Sequence, residues 1–61
     1  MLNEYLIQYK LTGDNPTEVR GMLCVGERAI DAYDSLEVKI RNLFGFESSV
    51  NYIQLIDIHK I

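Results

Sequence analysis

A chain of 61 residues with six bases and nine acids, net charge −3, makes one small, modestly acidic domain. Its hydrophobic content of 48% is that of a globular rather than a disordered protein, and a lone cysteine, Cys24, excludes an internal disulfide. The acidic balance disfavours non-specific binding to nucleic acid or anionic membranes, and no apolar run is long enough to span a bilayer.

A domain of this size buries only about 60% of the surface its unfolded chain exposes, and usually needs a staple, a metal or a partner. Without a Cys/His cluster for zinc, a homodimer is the expected remedy. The N-terminal MLNEYLIQYK is polar where a signal peptide would be apolar. Asn15-Pro16-Thr17 has the outline of a glycosylation acceptor, but its central proline forbids it. These features predict a cytoplasmic protein. A Met1 start and an Ile61 end are read as one complete domain over 1–61.

The first strand is expected over Leu2–Leu11, where Tyr5, Ile7, Tyr9 and Leu11 alternate with Glu4, Leu6, Gln8 and Lys10. TGDNPT at 12–17 is dense in turn formers, with Gly13 suited to positive φ and Pro16 holding Asn15 extended. A second strand is expected over Glu18–Val25, with Val19, Gly21, Leu23 and Val25 toward the core and Arg20, Met22 and Cys24 pointing away. Gly26 then breaks the strand.

Arg28–Phe44 is the segment on which the rest is organised. Ala29, Ala32, Tyr33, Leu36, Ile40, Leu43 and Phe44 fall on one helical face, roughly a third of the circumference. Acids crowd the first half and bases the second, as the helix dipole favours. Gly26 or Glu27 would be weak caps, and Asp31 or Asp34 could cap a shorter helix. Gly45 is the natural left-handed stop, with Phe46 able to fold back on the last turn. The last strand is expected over Val50–Ile61, with Val50, Tyr52, Ile56 and Ile58 on one face and Ile53, Leu55, Asp57 and His59 on the other.

The order ββαβ predicts an α+β fold. A hairpin followed by a helical crossover gives a three-stranded antiparallel sheet in the order 2-1-3, with the one helix (about 28–44) packed on one face. The uncovered face would then show Leu6, Met22, Cys24, Ile53 and Leu55. Such a patch is near the size that marks an interface, and these five are the expected self-association residues. Pairing of an edge strand in a symmetric dimer is the alternative.

Glu27, Asp31 and Asp34 are expected one turn apart on the outer helix face, with Val38 between Asp34 and Arg41. A convex face offers neither the cleft nor the perturbed pKa values that acid–base catalysis needs. Asp31, Asp34 and Val38 are therefore read as a partner-binding surface. Cys24 and His59 could meet across the open sheet face if the register allows, but no third orienting group accompanies them. No catalytic residue, cofactor or metal site is predicted. The six bases are scattered, and Tyr5, Tyr9, Tyr33 and Tyr52 suit the core, so nucleic acid is not the expected partner.

The GDNP hairpin, the strand VRGMLCV, the helix ending LFG and the strand VNYIQLIDI form a pattern that resembles very short phage-encoded proteins. That resemblance implies a protein that binds and inhibits a host enzyme or a defence complex, and it assigns no site residue. The expected function is a non-enzymatic interaction module, a small phage or mobile-element inhibitor or regulator that sterically blocks a protein. The alternatives are a subunit or stabilising domain of a larger assembly and, last, a ligand or catalytic site around Cys24 and His59.

Overall fold

Strict two-residue alternation makes β1 (Asn3–Leu11) the spine of the molecule. A computed structural model describes residues 1–13, 15–44 and 53–61. β2 (Arg20–Gly26), α1 (Ala29–Phe44) and β3 (Ile53–Lys60) follow. The sheet order is β2-β1-β3 with both pairings antiparallel, so the α+β fold, its topology and, among the described residues, the one helix are as the sequence predicts. The expected stop at Gly45, the fold-back of Phe46 and the core positions of Val50 and Tyr52 lie outside the described residues.

The β1–β2 connection is a polar turn. Gly13 has φ +96°, which glycine alone adopts without strain. The Asn15 side-chain oxygen accepts from the Thr17 amide at 3.1 Å and the Thr17 hydroxyl at 3.0 Å. Lys10 Nζ donates to the Pro16 carbonyl at 2.6 Å and ties the turn back to the sheet.

The helix begins by a reciprocal device. The Arg28 carbonyl accepts from the Asp31 and Ala32 amides, and the Arg28 amide donates to Asp31 Oδ2 at 3.1 Å. Arg28 thus occupies the cap position and Asp31, three residues on, reaches back as in half of a capping box. Gly26 and Glu27 do not cap, and Glu27 lies ahead of the helix rather than on its outer face.

The core forms between β1 and α1. Tyr5, Ile7, Tyr9 and Leu11 from the central strand meet Cys24 from β2 and Ala32, Leu36 and Ile40 from the helix, with Met22, Tyr33, Ile53 and Ile58 packed at the margin. Ile7 and Leu36 are completely enclosed, and burying such a side chain contributes about 1.5–3 kcal/mol. Ala29 and Leu43, expected in the stripe, are exposed at the two ends of the helix.

β2 presents the face opposite to that expected, and so does β3 from Ile53 to Leu55, whereas Asp57, Ile58 and His59 stand on the sides expected. In β2, Cys24 pairs with Tyr5 and Met22 with Ile7, so both lie on the helix side, while Leu23 opposite Leu6 and Val25 opposite Glu4 lie on the open side. The reason is the strand's exit. Gly26, in phase with Met22 and Cys24, lies so close to the helix that a Cβ there would stand 2.6 Å from the Ala32 amide nitrogen. Only the parity that places a glycine under the first turn lets the strand run into the helix. Gly21 accordingly lies on the open face, opposite Gln8, and receives no helix side chain.

In β3 the alternation is broken by a bulge. Gln8 pairs with Asp57 but Tyr9 pairs with Leu55, which leaves Ile56 as an extra residue. Below the bulge the parity is reversed, so Ile53 and Leu55 stand on the helix side opposite Leu11 and Tyr9, while Asp57 and His59 face outward. The helix lies mainly over β2, and Leu55 and Ile56 on β3 stay about half exposed.

Candidate functional site

Two surfaces remain once the core is assigned. The first is the open face of the sheet. Its centre is apolar: Leu6 on β1 beside Leu23 and Val25 on β2, which are 50% and 48% exposed. Glu4, Gln8 and Lys10 continue the β1 row, and Asp57 and His59 supply the β3 row. His59 Nδ1 lies 2.8 Å from Asp57 Oδ2, and both side chains are half exposed. Of the five residues expected here, only Leu6 is on this face. Met22, Cys24, Ile53 and Leu55 belong to the other side of the sheet, the first two by the register of β2 and the last two by the bulge. Sequence reasoning missed Leu23 and Val25, although the glycine at the strand's end carried the parity that exposes them.

The second surface is the outer face of α1. Ile30, Asp34, Val38 and Arg41 follow one another at helical spacing, and Ile30 and Val38 are 59% and 54% exposed. Asp34 and Val38 stand where the sequence places them. Asp31 does not stand free beside them, because it also pairs with the Arg28 guanidinium at 3.2 Å. That hydrogen bond holds the Asp31 carboxyl below the usual carboxylate range and raises Arg28. Asp31 is thus committed to the helix start. Glu27 is drawn instead toward β1, where its carbonyl accepts from Asn3 Nδ2 at 3.2 Å and its carboxylate lies 4.0 Å from the N-terminal amine.

Cys24 and His59 do not meet. Cys24 is sealed between sheet and helix, and His59 is on the far side of the sheet on the other edge strand. Burial pushes the Cys24 thiol up, against a smaller opposing effect of Lys39, so it stays protonated at neutral pH and is a poor nucleophile. Lys39 Nζ itself donates to the Leu23 carbonyl at 3.4 Å and so covers part of the β2 edge. Among the described residues no three His, Cys, Asp or Glu side chains converge as metal ligands, and no helix is long and apolar enough to cross a membrane.

The chain is thus a two-layer ββαβ domain with one apolar sheet face and one mixed helix face turned to solvent. Comparison with protein families, with curated proteins and with solved structures finds no match.

Proposed function

We propose that the chain is a non-enzymatic protein-interaction module, a small inhibitor or regulator of the phage or mobile-element kind, which blocks a host or defence protein sterically. The observation that supports it most is Val38. A valine 54% exposed in mid-helix, with Ile30 two turns before it and Asp34 and Arg41 alongside, provides apolar anchors framed by charges of both signs. This is the spacing at which a helix docks into a shallow groove. The fitting partner is a protein with an apolar floor and a basic group to meet Asp34. A photo-crosslinking residue at Val38, used in cells that carry the partner, should give one discrete adduct that disappears when Ile30→Glu is added. The same adducts from a crosslinker placed at Glu18, in the turn, would mean that the helix face has no selectivity and would remove this function.

Leu55 and Ile56 favour a second reading. They are half exposed on β3, away from β2 over which the helix mainly lies, and a subunit that completes its core on a neighbour in a larger assembly would leave such residues.

A further inference from the structure

We propose that the open sheet face is closed by a second copy of the chain, related by a two-fold axis that crosses the strands between Leu6 and Gln8. The register arranges this face in rows across the sheet. Val25 and Glu4 share one row; Leu23, Leu6 and His59 the next; Gly21, Gln8 and Asp57 the third; Lys10 and Gln54 the fourth. A two-fold axis in the plane of contact, perpendicular to the strands, lays each strand on its own copy with the rows reversed.

The first row then meets the fourth, and the second meets the third. Glu4 faces Lys10 of the second copy, and His59 faces Asp57 of the second copy, each twice by symmetry. Leu23 faces Gly21 of the second copy. That glycine is a hollow: a Cβ added there would find only Leu6 Cδ1, at 3.8 Å. Leu6 meets the aliphatic part of Gln8. The other two-fold orientation, with the axis along β1, would set Leu23 over His59 and Gly21 over Asp57, and would stack Glu4 on Glu4 and Lys10 on Lys10, like charge on like. The charge pattern also argues for self-association over other occupants, since bases and acids of one face answer each other rather than forming a field of one sign.

The edges are less open to pairing. Lys39 occupies the Leu23 carbonyl on β2, and the bulge at Ile56 interrupts β3, two devices that discourage strand addition. Strands about 4.8 Å apart and about 3.4 Å per residue give the face an extent of roughly 300–400 Å² on each copy. Over two copies that is roughly 600–800 Å², below the roughly 1,000 Å² of a stable interface, so the dimer is a weak, transient one with a dissociation constant on the order of 1–50 μM. The dimer does not depend on what the helix binds, and its failure would leave the helix-docking function standing.

Sedimentation equilibrium across about 1–200 μM tests it. The wild-type chain should pass from monomer to dimer over this range. Gly21→Val fills the hollow with a Cβ that meets only Leu6 Cδ1 at 3.8 Å in its own chain, so it should keep the wild-type circular dichroism spectrum and weaken the dimer at least about thirtyfold. Leu23→Asn, at a half-exposed position, trims the opposing side chain and should weaken it about tenfold. Glu4→Lys should also weaken it about tenfold, and adding Lys10→Glu should bring it back to within about threefold of wild type. A single-chain mass at every concentration would overturn the proposal. So would a folded Gly21→Val that dimerises as tightly as wild type, or a charge reversal that Lys10→Glu does not rescue.

Discussion

Gly26 shows how much one missing side chain decides. Its backbone passes under the first turn of α1, where an added Cβ would stand 2.6 Å from the Ala32 nitrogen and 2.9 Å from Asp31 Cβ. The first of these is backbone and cannot rotate away. Gly26→Ala is expected to cost about 1–3 kcal/mol, read from urea unfolding, as overpacking of a tight contact does. Asp31 makes a second prediction at this scale. Its carboxyl titrates below the ordinary range in the folded chain because Arg28 donates to it. A depressed folded pKa contributes stability that is present above the unfolded pKa and is lost as pH falls through the folded one. Asp31→Asn keeps an oxygen for the Arg28 amide but discards the charge. It should lower the melting temperature at about pH 7, and the deficit should shrink toward zero by about pH 2. A deficit unchanged by acid would show that Asp31 acts by shape alone.

Among the elements, β1 and α1 were legible in the sequence and the faces of β2 and β3 were not. β1 alternates apolar against polar with Leu6 as its one exception, so its inner face could be read directly. In α1 the stripe through Ala32, Leu36 and Ile40 is the buried one. β2 is apolar on both parities, with Leu23 and Val25 on one and Met22 and Cys24 on the other, so alternation alone could not choose between them. Close packing chose, since the helix rests on the side bearing Cys24 and Gly26, whose small size lets it approach. In β3 one extra residue, Ile56, reverses the parity, and no local signal in IQLIDIHK marks it. Consequently Leu6 alone of the predicted self-association residues kept its place. The packing of α1 on β1 carries its own prediction. Leu36→Ala, at a completely enclosed position, should cost about 2–5 kcal/mol and leave a chain this small largely unfolded at about 37 °C, seen as loss of amide dispersion.

For the molecule as a whole, the one helix among the described residues covers one side of the sheet, and no other described element lies on the opposite side. A domain in that state gains stability from whatever covers it, in proportion to concentration. The thermal midpoint should therefore rise with chain concentration for the wild type and stay constant for Gly21→Val. Equal behaviour of the two would separate stability from association. The two outward faces also divide the work: the mixed helix face suits a groove in a different protein, whereas the reciprocal charges of the sheet face suit a copy of itself.

Local patterning by itself determined the element order, the helix, the central strand and the 2-1-3 topology, because periodicity and chain connectivity are properties of neighbouring residues. Only the tertiary structure decided which side chains of the edge strands are outside. That choice rests on contacts between residues far apart in the chain, Gly26 beneath Ala32 and Leu55 beside Tyr9, where excluded volume and register act rather than sequence spacing.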